Sequence, residues 1–158
     1  SGTTDALIEV GKLAENGDKS FREKIEFIEN KHLEAIGKLF AESEGAEING
    51  FVQNSIQELR NICEGIFLLG ELSSRTLDRV VSFGEILSTK IVSAKFDSLD
   101  VENVWVDSRQ LIRTDSNFVN AAVDFSVTNS QIKDFFSHQT AKLFIFPGFI
   151  ASDANGST

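Results

Sequence analysis

The sequence predicts an α/β fold, with a helical N-terminal part followed by a few buried, mainly parallel strands in the C-terminal third. Apolar residues recur at helical spacing from Leu7 to Val92, whereas short segments rich in β-branched and aromatic residues follow after Asp97. One of these segments, residues 143–146, is almost entirely apolar, which is typical of a strand that helices cover on both faces.

The first two helices are predicted from spacing and from turn residues. Apolar residues at helical spacing indicate a short helix over residues 5–14, which a turn at residues 16–18 would close. Ser20 and Glu23 have the spacing of a capping box, in which each side chain bonds the backbone N–H of the other residue. They predict the start of a long amphipathic helix that reaches Phe40.

Two further helices are predicted before the strands. The apolar spacing repeats over residues 46–69, and Gly70 is placed to end this second long helix. Ser73 or Ser74 can cap a third long helix that runs to about residue 92. Because its apolar residues occupy more than one face, we expect this helix to be deeply buried.

The C-terminal third predicts strands at residues 104–106, 122–125 and 143–146, with a helix over residues 129–137 between the last two. Three strands are too few for a sheet that is buried on both faces, so we expect further strands outside the chain. The chain also contains no methionine and hence no initiator. These observations predict an internal piece of a longer protein.

Composition narrows the class of protein. The 158 residues are 41% hydrophobic and 25% charged, which fits one globular domain. A net charge of −9 argues against nucleic-acid and membrane partners, since both attract basic patches. Cys63 is the only cysteine, so it cannot form an internal disulfide, and its apolar neighbours predict a buried thiol in a reducing compartment. We therefore expect a cytoplasmic protein.

Glu85 is the first candidate for a chemical role, because it lies in the helix whose apolar residues cover several faces. A buried carboxylate is costly unless a cation pairs with it, and a substrate ammonium could be that cation. Considered alone, a solvated glutamate on a helix is the commoner situation. Both interpretations stay open at this level.

Other polar segments permit ligand binding without requiring it. Residues 1–5 form a hydroxyl-rich turn that could bind an anion or simply cap a helix. Gly148 and Phe149 follow the apolar strand, at the edge where ligands bind parallel sheets, but a chain reversal explains them equally well. We assign structural roles to His32 and His138, since no metal-site spacing is present.

Five segments, taken in this order, resemble the aspartate kinases. They are SGTTDAL at residues 1–7, SFGEILST at 82–89, WVDSR at 105–109, RTD at 113–115 and GFI at 148–150. No P-loop, nucleophile elbow or dinucleotide fingerprint accompanies them, so the likeness depends on the combination of these segments and extends over the whole chain.

The resemblance implies the amino-acid-kinase fold, an αβα sandwich, in which residues 1–158 are a partial catalytic domain. Residues from about 20 to 70 would be a helical insertion. It also implies transfer of the ATP γ-phosphoryl group to the β-carboxylate of L-aspartate, the first step towards lysine, threonine and methionine. Such catalysis depends on positioning and on neutralising charge.

The resemblance also implies roles for particular residues. Glu85 would hold the ammonium of aspartate and Thr4 would bond a substrate carboxylate, while the backbone at Gly148 and Phe149 would line the pocket. The family's lysine-bearing strand end and its Gly-Arg-Gly-Gly-Ser-Asp turn would lie outside the chain. We therefore expect ATP and Mg²⁺ to bind elsewhere in the full-length enzyme, and the isolated chain to be inactive and free of cofactors.

Further expectations follow from the family. The full-length protein would be a homo-oligomer, either with one activity or fused to a homoserine dehydrogenase. Two alternatives remain. The chain could belong to another amino-acid kinase that acts on glutamate or carbamate, or it could be a non-catalytic helical interaction module, as its amphipathic helices permit.

Overall fold

The computed structural model describes residues 2–41 and 44–158. Within these residues four helices come first: α1 (Thr3–Glu15), α2 (Phe21–Leu39), α3 (Ala46–Leu69) and α4 (Ser74–Ser98). The C-terminal part contains β1 (Val104–Trp105), a 3₁₀ turn (Ser108–Gln110), α5 (Phe125–Ser137) and β2 (Phe144–Ile145). In the described part of the chain, no helix combines the length and the apolar character needed to cross a membrane.

The apolar stripes of α1, α2, α3 and α4 form one core, as their helical spacing predicts. The fully buried side chains at its centre are Leu7, Val10, Phe21, Ile25, Val52, Ile56, Leu59, Val80 and Leu87. Cys63 is also buried in this core as a free thiol, which confirms its predicted burial. The predicted end of α3 is confirmed as well, because Gly70 has a φ of 66° and its N–H bonds to the carbonyl of Ile66.

The two predicted helix caps differ in outcome. Ser73 caps α4, since its hydroxyl accepts a hydrogen bond from the backbone N–H of Thr76 at 3.2 Å. The capping box at Ser20 and Glu23 is wrong, because Ser20 has helical backbone angles and its side chain makes no cap bond. Instead, Asp18 Oδ1 accepts from the backbone N–H of Ser20 at 2.9 Å. The side chain that fixes the α1–α2 connection is therefore two residues earlier than predicted.

Helix α4 lies between the helical core and the C-terminal part. It packs against α1, α2 and α3, and also against β1. The consecutive residues Ser82, Phe83 and Gly84 are all buried, although they point to different sides of the helix. The predicted deep burial of this helix is thus confirmed, and it gives α4 a rigid setting for any functional side chain.

The two strands are parallel, with Val104 paired to Phe144 and Trp105 to Ile145. This confirms an α/β fold with parallel pairing in the C-terminal third. The strands are half-buried, however, so the predicted cover on both faces is not reached here. Phe144 packs against the rings of Phe135 and Phe136, whose centroids lie 5.9 and 4.8 Å away, and this contact with α5 covers only part of the sheet.

The strand predicted at residues 122–125 is wrong. Val123 forms only an isolated antiparallel bridge with Thr114, and Asp124 begins a helix. The Asp124 side chain accepts a hydrogen bond from the backbone N–H of Val127 at 3.0 Å, which makes it the cap of α5. Helix α5 therefore starts at Phe125 and not at residue 129, because capping by Asp124 overrides the β-propensity of its neighbours.

Candidate functional site

The start of α1 lies directly against α4 at Gly84. A Cβ atom at Gly84 would stand 3.3 Å from Leu7 Cδ1 and 3.6 Å from Thr3 Cγ2, so only a glycine leaves ordinary space there. Glu85 is the next residue along α4, and Thr4 follows Thr3 in the first turn of α1. The structure therefore brings the segments that carry the two predicted residues into contact.

Glu85 is half-buried in α4. Its backbone carbonyl accepts a hydrogen bond from the Thr89 hydroxyl at 2.7 Å, but its carboxylate makes no hydrogen bond or ion pair with any residue in the described ranges. A half-buried glutamate whose carboxylate has no partner in the protein can accept a cation from outside the chain. This geometry suits an ammonium group.

The first turn of α1 can receive an anion. Its N-cap residue, Gly2, has no side chain to bond the free backbone N–H groups, and Thr4 is exposed in this turn. Helix N-termini attract negative charge because those N–H groups are unpaired and the helix dipole is positive there. Ser1, which belongs to the predicted hydroxyl-rich turn, lies outside the described residues. Thr3 Oγ1 accepts a hydrogen bond from Lys31 Nζ at 3.3 Å.

Gly148 and Phe149 follow β2 and are both exposed. The Ser108 hydroxyl donates to the carbonyl of Pro147, which joins the two segments that leave β1 and β2. Phe149 has a φ of 58°, a left-handed conformation that non-glycine residues rarely adopt. Its backbone is therefore held in an unusual shape at the end of a strand, the position that was predicted to face a ligand.

A cleft of about 460 Å³ opens beside this strand end. It lies between α4 and the loops that follow β1 and β2. Its lining residues are Asp78, Val81, Ile112, Thr114, Asp115, Phe118, Val119, Ala121, Val123, Phe149, Ile150, Ala151, Ser157 and Thr158. Of the predicted site residues, Phe149 lines this cleft, whereas Gly148, Thr4 and Glu85 do not.

Glu85 nevertheless lies on the face of α4 that lines the cleft. Asp78 and Val81 line the cleft, and Glu85 follows Val81 by four residues, one helical turn further along. The Trp105 indole donates to the Thr89 hydroxyl at 3.0 Å, one more turn along the same face, which fixes β1 against α4. The cleft and Glu85 are thus consecutive along one side of α4.

Arginines at the end of the cleft are already paired. Arg109 makes a bidentate hydrogen-bonded pair with Asp107, in which Nε donates to Oδ1 at 2.9 Å and Nη2 donates to Oδ2 at 2.6 Å. Burial alone would raise the pKa of Asp107, but the hydrogen bonds from Arg109 and the charges of Arg109 and Arg79 hold it below its usual value. Arg79 also pairs with Glu58, and both arginines reach the Thr158 hydroxyl, at 3.4 and 3.5 Å.

Known proteins resemble this chain over nearly its whole length. The crystal structure of E. coli aspartokinase III with lysine and aspartate, in the T-state, superposes with a TM-score of 0.88 at 24% identity, covering 99% of this chain and 34% of that chain. The same enzyme with aspartate and ADP, in the R-state, gives a TM-score of 0.84. These likenesses establish the fold.

Curated relatives carry the same family name. Bifunctional aspartokinase/homoserine dehydrogenase 2, chloroplastic, of Arabidopsis thaliana is 27% identical over 155 residues, which cover 96% of this chain and 17% of that protein. Aspartokinase 2, chloroplastic, of the same plant is 30% identical over 126 residues, 77% of this chain and 22% of that protein. The chain is a homologue of the aspartokinases. No family model matches it.

The kinship confirms the family resemblance read from the five segments. Aspartokinases with one named activity and bifunctional ones both match, and the chain spans about a fifth of the length of these curated relatives. None of the comparisons tests the roles of Thr4, Glu85, Gly148 and Phe149, which stay predictions for this aspartokinase homologue.

A second polar network, which sequence reasoning missed, secures the far wall of the cleft. Arg113 donates to the Ser152 hydroxyl and to the backbone carbonyl of Asp153. The Asp153 carboxylate accepts from the Ser157 backbone N–H at 2.8 Å and from the Ser116 hydroxyl at 2.9 Å. The hydrogen bond from Ser157, followed by those from its other partners, lowers the pKa of Asp153. The turn chemistry of Asp-Ala-Asn-Gly-Ser was the signal that could have indicated it.

Sequence reasoning gave no role to Asp78 and Val119, and it interpreted the polar loop that ends at Phe118 as an ordinary surface loop. Asp78 Oδ2 accepts a hydrogen bond from the backbone N–H of Val119 at 2.7 Å, and all three residues line the cleft. No periodic pattern links these positions, because Asp78 lies in a helix and the other two lie in an irregular loop 41 residues further along the chain.

Proposed function

We propose that this chain forms the aspartate-binding part of an aspartate kinase. The full-length protein would transfer the γ-phosphoryl group of ATP to the β-carboxylate of L-aspartate and so produce 4-phospho-L-aspartate. This is the first step of lysine, threonine and methionine biosynthesis. The observation that carries the proposal is the half-buried residue Glu85, whose carboxylate has no partner among the described residues and which directly follows Gly84, where α4 packs against the start of α1.

The charges at this point suit an amino acid. Glu85 would bind the ammonium group of aspartate, while Thr4 and the free N–H groups of α1 would bind a carboxylate. The backbone of Gly148 and Phe149 would line the same pocket. The anionic half of the site then faces the one ammonium group of aspartate, and the half that attracts anions faces a carboxylate. Both aspartokinase III structures are complexes of that enzyme with aspartate.

ATP and Mg²⁺ would be held by segments outside this chain. Arg79, Arg109 and Arg113 near the cleft each have partners already, so none is available for phosphates without rearrangement. The described residues also contain no group of three or more His, Cys, Asp or Glu side chains arranged to hold a metal ion. When bound, ATP supplies the phosphoryl group and Mg²⁺ neutralises its charge. The isolated chain would then be inactive.

We also propose a cytoplasmic location and an absence of nucleic-acid partners, from the state of Cys63 and from the net charge. Burial raises the pKa of the Cys63 thiol to about 12, so it stays protonated and unreactive, which suits a structural cysteine in a reducing cytoplasm. The net charge of −9 leaves nucleic acid as an improbable partner. A homo-oligomer remains our expectation for the full-length protein.

The test is an acceptor assay on the full-length protein. Acyl phosphate formation is trapped as hydroxamate with ATP, Mg²⁺ and hydroxylamine, using L-aspartate and L-glutamate in parallel, while carbamate is followed through ADP release. We expect activity with aspartate. Activity with another acceptor alone would keep the fold and replace the substrate. A well-folded protein with no activity would favour the helical interaction module.

A separate variant tests the role that we assign to Glu85. Glu85→Gln should raise the KM for aspartate by about tenfold or more and leave the KM for ATP nearly unchanged, because one ion pair to the acceptor is lost. Glu26→Gln is the matched control, since Glu26 is exposed on α2. Equal increases in both KM values for Glu85→Gln would show that the change is not specific for the acceptor and would contradict the assignment.

A further inference from the structure

One hydrogen bond connects α4 to the loop that forms a wall of the cleft. Asp78 Oδ2 accepts from the backbone N–H of Val119 at 2.7 Å, a short bond with a charged acceptor. The Val119 side chain is 58% exposed, so burial of that side chain does little to hold the loop in place. The bond to Asp78 is therefore a principal attachment of this part of the loop to the helix.

Val119 has a backbone conformation that needs support. Its φ is 71°, which is a genuine outlier for a β-branched residue and costs free energy. Bonds within the loop contribute to its shape: Asp115 Oδ1 accepts from the N–H groups of Asn117 and Ala122, at 3.2 and 3.0 Å. These bonds shape the loop but do not attach it to α4. A strained conformation persists only where the surroundings determine it. From outside the loop, Asp153 accepts a hydrogen bond from Ser116, whereas Asp78 contacts the strained residue Val119 itself.

The strain is concentrated at the cleft. Three non-glycine residues in the described part of the chain have positive φ, namely Asp100, Val119 and Phe149. Val119 and Phe149 both line the cleft, as do Phe118 and Asp78. Two residues that line this cleft thus have backbone held in an unfavourable conformation, and such conformations cluster where a protein must present groups to a ligand.

We propose that Asp78 is a positioning residue for the acceptor substrate. Its carboxylate tethers the loop over residues 116–121 to α4, which sets the position of Phe118 and the shape of the cleft next to Glu85. The expected effect on substrate binding rests on the proposed aspartate kinase function, whereas the attachment of the loop to α4 does not. Because Asp78 acts through the loop, asparagine at this position, which is neutral but keeps an acceptor oxygen, should hold the loop nearly as well.

The experiment compares Asp78→Ala, Asp78→Asn and Asp18→Ala in the full-length protein. Alanine removes the acceptor, whereas asparagine keeps an oxygen that can accept the Val119 N–H. Asp18→Ala is the matched control, because it removes a carboxylate bond to a backbone N–H, that of Ser20 at 2.9 Å, in a turn that does not line the cleft. Hydrogen–deuterium exchange of residues 116–121 is measured without substrate, and KM values for aspartate and ATP are measured separately.

Asp78→Ala should speed exchange in the loop and raise the KM for aspartate by roughly tenfold, with the KM for ATP unchanged. Asp78→Asn should stay near wild type in both measurements, and Asp18→Ala should leave the loop and both KM values unaffected. This pattern would support the proposal.

Three results would overturn the proposal. The first is loop exchange that Asp78→Ala leaves unchanged, and the second is faster exchange with no rise in the KM for aspartate. The third is an Asp78→Asn variant that is as impaired as Asp78→Ala while its loop exchanges at the wild-type rate, which would show that the charge acts on the ligand directly. A wild-type protein inactive with aspartate would reject the kinase function, while the exchange data would still decide whether Asp78 tethers the loop.

Discussion

Gly84 of α4 lies so close to Leu7 of α1 that a methyl group at position 84 would stand 3.3 Å from Leu7 Cδ1. Leu7 is fully buried, so it has little room to move away. The missing side chain therefore allows the start of α1, which carries Thr4, to pack closely against the part of α4 that carries Glu85. This close approach positions the two residues that we assign to the ends of one substrate.

Gly84→Ala should weaken aspartate binding more than it weakens the fold. Alanine gains up to about 1 kcal/mol of helix propensity, whereas the new contact costs about 1–3 kcal/mol as the start of α1 is displaced. We expect a several-fold rise in the KM for aspartate and a small change in the free energy of unfolding. In the control Gly65→Ala, no atom lies within 4 Å of the added Cβ, so α3 should gain stability without a change in KM. A Gly84→Ala enzyme with the wild-type KM would contradict the account.

The two serine caps differ in a way that urea denaturation of the chain can measure. Ser73→Ala should lower the free energy of unfolding by about 1 kcal/mol, because the hydroxyl caps α4 at the Thr76 N–H. Ser20→Ala should change it by less than about 0.5 kcal/mol, since the Ser20 side chain makes no cap bond. Equal losses in the two variants would show that Ser20 caps α2 in solution.

His32 should make the stability of the fold depend on pH. Its ring is buried in α2, and its Nδ1 bonds the carbonyl of Ile28 at 2.7 Å. Burial lowers the pKa of His32, so the unfolded chain binds a proton more tightly than the folded chain does. The contribution to stability is therefore fully present above the ordinary histidine pKa of about 6.5 and is lost as the pH falls towards the depressed value.

Denaturation at about pH 7.5 and pH 5.5 tests this, because most carboxylates keep their charge in that window. The loss of stability on acidification should shrink in His32→Gln. It should persist in His138→Gln, since His138 is exposed at the end of α5. A loss that is the same in His32→Gln as in wild type would assign the effect to other groups.

Local signals were sufficient to predict the helical part. Helical spacing and end residues such as Gly70 and Ser73 act within a few positions of the chain, so the sequence places α1, α2, α3 and the start of α4 within two residues of their observed bounds. The end of α4 was predicted wrongly, because the helix continues six residues beyond residue 92, to Ser98. The error at residues 122–125 arose from another local signal, since the cap made by Asp124 outweighed β-prone neighbours. Burial of the strands depends on distant elements, which spacing does not describe.

The candidate site was less accessible to sequence reasoning. Thr4, Glu85, Gly148 and Phe149 were assigned from the family resemblance, and their roles remain predictions. The contact between Asp78 and Val119 joins positions 41 residues apart in the chain. The positive φ of Val119 could not be predicted either, because valine is not a residue type that indicates this conformation. A tertiary hydrogen bond between a helix and an irregular loop has no periodic signature, so only the structure could show it.

The central claim is that Glu85 holds the ammonium group of aspartate, and calorimetric titration of the full-length protein tests it most directly. Succinate has both carboxylates of aspartate but lacks its ammonium group, so wild type should bind aspartate at least about tenfold more tightly. In Glu85→Gln this ratio should fall towards one while the affinity for succinate stays nearly constant. A ratio that is as large in Glu85→Gln as in wild type would contradict the account.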